Sequence, residues 1–212
     1  MTPDDPIVLV LDDDPAVGEA LEGLLHSAGL RTEIFTSPQE FLRRPRPAAP
    51  ACLILDVQLR ESSGLELQAD LAKGDPPLPI IFITGHGTIP MSVRAMKHGA
   101  IEFLTKPFDG DELLGAVRQA LSRDRLARER HTELAGVQAR MATLTPRERE
   151  VFWLVVTGQL NKQIAAALGC SEQTVKVHRG RVMRKLVAGS VADLVRLAER
   201  LAPETEASLA PK

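Results

Sequence analysis

The chain has little of what covalent or thiolate-based folding needs. It holds two cysteines in 212 residues, Cys52 and Cys170, in unrelated surroundings. A disulfide framework or a cysteine-rich metal cluster is therefore not expected, and both side chains read as small apolar groups in a core. No apolar run approaches the ~20 residues of a membrane-spanning helix. The first residues, Met1-Thr2-Pro3-Asp4-Asp5-Pro6, are acidic and lead into no secretory apolar stretch, so a cytoplasmic protein without a membrane partner is expected. Net charge is also low, at −2, but it is unevenly spread. Residues 1–120 carry 10 Lys and Arg against 18 Asp and Glu, a balance of −8, whereas residues 121–212 carry 16 against 10, a balance of +6. An acidic half followed by a basic half points to two domains with different partners, the second able to meet nucleic acid.

The acidic half alternates short apolar runs with helical patterns. Ile7 to Leu11, Arg31 to Phe35, Cys52 to Leu55, Pro79 to Ile83 and Ile101 to Leu104 have strand length and composition. Between them, Ala16, Val17, Ala20, Leu21, Leu24 and Leu25 recur at helical spacing after Pro15, with Gly29 as a stop. Ser37-Pro38 opens a short helix, and helices are expected over Leu65 to Lys73 and Ile89 to His98. Five strands alternating with helices predict an α/β doubly wound fold with a five-stranded parallel sheet covered on both faces. In such sheets ligands bind beyond the carboxyl ends of the strands. The residues at those ends are Asp12 and Asp13, Asp56, Thr84 and Lys106.

That set has a chemical logic. Clustered carboxylates repel one another, and a hard divalent ion such as Mg²⁺ relieves the repulsion through oxygen ligands. One carboxylate can then act as a nucleophile towards phosphorus. A lysine and the ion offset charge on the phosphoryl oxygens, and a threonine hydroxyl can donate to one of them.

Val10-Leu11-Asp12-Asp13, Leu55-Asp56-Val57, Ile83-Thr84-Gly85-His86-Gly87 and Phe103-Leu104-Thr105-Lys106-Pro107-Phe108 resemble the receiver domain of bacterial two-component response regulators. The resemblance implies that Asp56 accepts a phosphoryl group from a sensor histidine kinase. It implies that Asp13, Asp56 and the main-chain oxygen of Gln58 ligate Mg²⁺, with Asp12 acting largely through a metal-bound water. It assigns Lys106 to the acids or the phosphoryl group, expects a cis bond before Pro107, and makes Thr84 and Phe103 a switch pair. Gln58 and His86 occupy positions that tune hydrolysis in this family. The loop after Asp56 departs from the common Met-Pro, having Leu59-Arg60. Losing proline loosens the loop. Arg60 is either an ordinary exposed side chain or a cation that steers or holds the phosphoryl group.

From Asp109 onwards Leu113, Leu114, Val117 and Leu121 keep helical spacing, and strong helix formers continue to Gly136. A helical linker weakened at Gly136 is expected. Its stripe of Leu134, Val137, Met141 and Leu144 would either pair with a second copy or pack on its own domains. Leu144-Thr145-Pro146-Arg147-Glu148 has the form of a capped helix start. Asn161 to Leu168 and Glu172 to Leu186, joined at Gly169-Cys170-Ser171, have helix-turn-helix spacing, and a fourth helix runs from Ser190 through Arg200. Thr174, Lys176, His178, Arg179, Arg181, Arg184 and Lys185 make the third of these helices polar or cationic along one side, which suits a major groove of double-stranded DNA.

These motifs, with Asn161-Lys162-Gln163-Ile164-Ala165 and Thr174-Val175-Lys176-Val177-His178, resemble a LuxR-type DNA-binding domain. The whole chain is similar to the FixJ/StyR branch of response regulators. The resemblance places Lys176, Val177 and Gly180 at bases, with Arg179 and Arg181 beside them, and Lys162, Thr174, Arg184 and Lys185 at phosphates. It makes the fourth helix a dimerisation element. The expected organisation is a receiver at 1–121, a helical linker at 122–142, an all-α helix-turn-helix domain at 143–202 and a disordered tail at 203–212. The expected protein is not an enzyme but a transcription regulator, acting as a homodimer on activation and able to contact RNA polymerase. Two alternatives remain at this point. One is an aspartyl-phosphate phosphatase of haloacid-dehalogenase type, whose Asp-x-Asp pattern Asp12-Asp13-Asp14 satisfies. The other is a regulator that works without phosphorylation.

Overall fold

The computed structural model describes residues 5–60 and 62–206. The chain forms two compact units divided between Glu129 and Arg130.

The first unit runs β1 (Ile7–Leu11), α1 (Pro15–Ser27), β2 (Arg31–Phe35), α2 (Pro38–Arg43), β3 (Ala51–Asp56), α3 (Gly64–Leu71), β4 (Ile80–Thr84), α4 (Ile89–Lys97), β5 (Glu102–Thr105) and the start of α5 (Gly110–Ala142). All strand pairs are parallel, in the order β2-β1-β3-β4-β5. The apolar runs are continuous because helices cover both faces. Leu9, Leu11, Leu53, Leu55 and Phe82 face one core, while Val8, Val10, Cys52, Ile54, Ile81 and Ile83 face the other. Asp14 accepts from the Ala16 N–H as the α1 cap with Pro15 behind it, and Ser37 caps α2 in the same way. The expected elements appear with small shifts: α3 spans Gly64–Leu71, and β5 begins one residue later than its apolar run. The chain changes winding direction between β1 and β3, which are hydrogen-bonded neighbours with Leu11 opposite Leu55. Their carboxyl ends, and the acids on them, therefore share one crevice.

Helix α5 does not weaken at Gly136. It is continuous over 33 residues. Val137 and Met141, immediately beyond the glycine, are buried in the core of the second unit, and that packing outweighs the ~1 kcal/mol that glycine costs a helix. The helix also stays attached to the receiver unit past residue 121. Asp124 is fully buried and accepts from the Ala51 N–H at 2.8 Å, Arg46 Nη2 at 3.0 Å and Arg128 Nε at 2.5 Å. Arg128 donates onward to the Ala48 carbonyl and Arg46 to that of Pro76. The Cys52 thiol is pushed up by burial and then by the nearby Asp124 charge, so it stays protonated.

The second unit adds α6 (Pro146–Val156), α7 (Asn161–Leu168), α8 (Glu172–Lys185) and α9 (Val191–Glu206). Val137, Met141 and Leu144 of the apolar stripe pack on Val151, Phe152, Val175 and Val182, inside their own unit. The single tryptophan, Trp153, lies edge-on against Phe152 and is 39% exposed. A tail disordered from residue 203 does not match the helix, which runs to Glu206. Helix formers carry it across Pro203, where one helical hydrogen bond is necessarily absent. Residues 207–212 lie outside the described residues.

Candidate functional site

The carboxyl ends of the strands bring together the expected residues. Asp12, directly after β1, is 1% exposed, and Asp56, the last residue of β3, is 8% exposed. Lys106 follows β5, its N–H donating to the Thr84 carbonyl, and its Nζ reaches Asp12 Oδ2 at 2.6 Å and Asp56 Oδ2 at 3.0 Å. The bond between Lys106 and Pro107 is cis. Asp12, Asp13 and Asp56 each offer a carboxylate oxygen, all within 4.8 Å of one another. This all-oxygen donor set fits a hard divalent cation. Burial raises the Asp12 carboxyl above its usual range, against the hydrogen bonds from Lys106 and the Asp14 N–H. Burial opposes the Lys106 charge, but its bonds to Asp12 and Asp56 prevail and its pKa is raised.

The second oxygens of the two buried acids are held by main chain. Asp12 Oδ1 accepts from the Asp14 N–H at 3.0 Å, and Asp56 Oδ1 from the Gln58 N–H at 2.9 Å. Thr84 is fully buried at the end of β4 with its Oγ1 accepting from the His86 N–H at 3.2 Å. Phe103 is half-buried against Phe82, at a centroid distance of 6.2 Å. Gln58, His86 and Arg60 are exposed. Arg60 reaches the site, its Nε lying 2.9 Å from Asp13 Oδ2. Asp14, which the phosphatase reading needs beside Asp12, is exposed and caps α1 instead.

Two glycines shape this crevice in a way that motif reading did not anticipate. A Cβ on Gly64 would lie 2.2 Å from the main-chain oxygen of Asp56, and one on Gly87 would lie 2.7 Å from the Thr105 methyl and 3.1 Å from the Phe103 ring. Gly64 therefore lets α3 start against the end of β3, and Gly87 lets the β4–α4 loop pass over the Thr84–Phe103 pair. A glycine three residues after a threonine, and one opening a helix, were the signals in the sequence.

In the second unit α8 buries Val175 and Val182, with Leu186 buried just beyond its end, and exposes Thr174, Lys176, Val177, Gly180, Arg181 and Arg184, with Lys162 exposed on α7. Ser171 caps α8 through the Thr174 N–H at 3.1 Å, and Gly169 turns the chain with φ of 63°. Three expected contact residues point elsewhere. Arg179 is half-buried and donates to Asn161 Oδ1 at 3.1 Å, tying α8 to α7. His178 is half-buried with Nδ1 enclosed and unpaired. Lys185, expected at phosphate, gives its ammonium to Glu148 Oε2 at 2.6 Å and to the Thr143 carbonyl at 2.8 Å, because the capping-box carboxylate of α6 is buried beside it. Hydrogen bonds from Lys185 and the Thr145 N–H hold the Glu148 carboxyl down at about 2.

Comparison with known proteins agrees with both units. Residues 8–118 match the response regulator receiver domain, and residues 142–198 match the LuxR family of bacterial regulatory proteins. Nodulation protein W of Bradyrhizobium diazoefficiens is 50% identical, over 92% of this chain and 86% of its own. The response regulator protein TmoT of Ectopseudomonas mendocina is 47% identical, over 95% and 91%. The solved structure of the response regulator StyR, 46% identical, superposes with a TM-score of 0.83, covering 92% of this chain and 99% of that one. Among the described residues no helix is long and apolar enough to cross a membrane. An acidic crevice at the strand ends and an exposed basic helix on one chain have the same explanation as these matches: the chain belongs to the transcriptional response regulators of two-component systems, with a receiver domain joined to a LuxR-type DNA-binding domain.

Proposed function

We propose that the protein works in the cytoplasm, that Asp56 is the phosphoacceptor, that a sensor histidine kinase is the donor, and that the phosphorylated protein binds promoter DNA as a homodimer. The observation that carries this is Lys106 bridging Asp12 and Asp56, with Asp13 within ligand distance of both. A carboxylate oxygen of Asp56 forms the new P–O bond as the P–N bond to the kinase histidine breaks, the electron pair staying on the imidazole nitrogen. Mg²⁺, held by Asp13, Asp56 and the Gln58 main-chain oxygen with Asp12 through water, would supply positive charge to the phosphoryl oxygens. Lys106 adds a fixed cation on the same side, and burial of Asp12 and Asp56 strengthens its effect. Thr84 trades its bond with the His86 N–H for a phosphoryl oxygen, and the half-buried Phe103 turns inward with it.

On DNA, Lys176, Val177 and Gly180 face bases, with Arg181 beside them, and Lys162, Thr174 and Arg184 face phosphates, all of them exposed. Helix α9 joins two copies on adjacent half-sites, where contact with RNA polymerase follows. The test is phosphoryl transfer to the full chain from a phosphorylated kinase or a small acyl phosphate, read by intact mass. The wild type gains one phosphoryl group and Asp56→Asn gains none. Retained incorporation in Asp56→Asn would refute the assignment.

A further inference from the structure

We propose that Arg60 is a tethered counter-cation that lowers the affinity of the acidic crevice for Mg²⁺ and so sets the concentration of the ion at which the receiver becomes competent. The inference rests on reading Asp12, Asp13 and Asp56 as the metal site.

The three carboxylates lie close enough to raise one another's energy. Lys106 answers two of them, Asp12 at 2.6 Å and Asp56 at 3.0 Å. The third, Asp13, is answered by the guanidinium of Arg60, with Nε 2.9 Å from Oδ2. Each acid thus has a cation from the chain itself before any metal enters. The two cations differ in how they are held. Lys106 is fixed between two buried acids, its side chain 23% exposed, whereas the Arg60 side chain is 77% exposed and stands on a loop without the proline that stiffens many receivers.

Mg²⁺ binding to Asp13 must either displace the guanidinium or share the carboxylate with it. Both cost free energy: the first breaks an ion pair, and the second places two cations on one carboxylate. An exposed pair is weak, so the effect grades metal affinity and does not block the site.

The test uses isothermal titration of Mg²⁺ into the full chain. Arg60→Gln, which keeps bulk and polarity without charge, should bind Mg²⁺ about two- to fivefold more tightly than the wild type. Arg60→Lys, which keeps the charge, should stay near the wild type. In the wild type the Arg60 Nε–H resonance, identified by its loss in Arg60→Lys, should shift on saturation with Mg²⁺. Unchanged or weaker binding by Arg60→Gln, or equal tightening by Arg60→Lys, would overturn the proposal. If neither the wild type nor Arg60→Gln bound Mg²⁺, the metal site itself would fall and the gate with it. A normal wild-type affinity that Arg60→Gln does not change would remove the gate alone.

Discussion

Asp124→Ala should unlock the foot of α5 from the receiver. The carboxylate is fully buried and satisfies three donors: the Ala51 N–H that opens β3, and guanidinium groups of Arg46 and Arg128. Truncation leaves all three without their acceptor. Breaking a buried ion pair by removing one partner costs about 3–5 kcal/mol. The Arg46 and Arg128 side chains are 32% and 21% exposed and can turn partly to water, which favours the lower end, about 3 kcal/mol. That corresponds to roughly a hundredfold rise in hydrogen exchange by receiver amides that open only with the whole unit. Exchange measured by mass spectrometry on the full chain separates the units: peptides from β3 and from residues 118–130 should accelerate, while those of α6 to α8 should not. A receiver cut at residue 121 should show the same loss, because it lacks Asp124. The companion triple change Arg46→Met, Asp124→Leu, Arg128→Met should recover most of the stability, since it removes the charges together. An acceleration below about fivefold in Asp124→Ala, near 1 kcal/mol, would show that the cluster does not hold the helix and refute the reasoning.

Lys185→Met should weaken DNA binding without changing its salt dependence, because its ammonium is engaged by Glu148 and the Thr143 carbonyl. Arg184→Met should reduce the slope of log K against log salt by about 0.9, and fluorescence anisotropy titrations at several salt concentrations distinguish the two. Glu148 has a depressed pKa, so its contribution to stability is fully present above the unfolded carboxyl pKa of ~4.5 and is lost as pH falls towards about 2. Acid denaturation of the helical unit should lose that component in Glu148→Gln. Val187, a β-branched residue with φ of 54° and 80% exposed, is strained at the end of α8, so Val187→Gly should stabilise the helical unit by about 1 kcal/mol in urea unfolding.

The sheet was legible because the central strands β1, β3 and β4, covered on both faces, are apolar almost throughout, and the ends of β1, β3, β4 and β5 carry residues with chemistry, whereas the edge strand β2 does not. The sequence alone places Asp12, Asp56 and Lys106 together, since a doubly wound parallel sheet puts the carboxyl ends of its strands on one edge. Asp124 could not. A charged residue among arginines on a helix looks like a solvated face, and only the return of the chain from Arg46 to Ala51 buries it. Lys185 misled for the mirror reason: its place in a basic run suggested phosphate, but the partner that claims it, Glu148, lies 37 residues away. Gly136 shows propensity yielding to packing, with Val137 buried immediately after it. The steric roles of Gly64 and Gly87 depend on what passes within reach of a missing Cβ, which spacing alone does not record.

Trp153 gives the molecule an optical asymmetry. The chain has no tyrosine, and its only indole lies on α6, against Phe152 in the DNA-binding unit. The receiver carries phenylalanine as its sole aromatic side chain. Emission excited at the red edge of protein absorbance therefore comes from one unit alone, and partial exposure makes it open to added quenchers. Melting followed by that emission tracks the helical unit. The same melt followed by heat capacity tracks both units, and the receiver's transition is the difference between the two traces. Two domains on one chain can thus be titrated with ion, phosphoryl donor or DNA and read separately without a label.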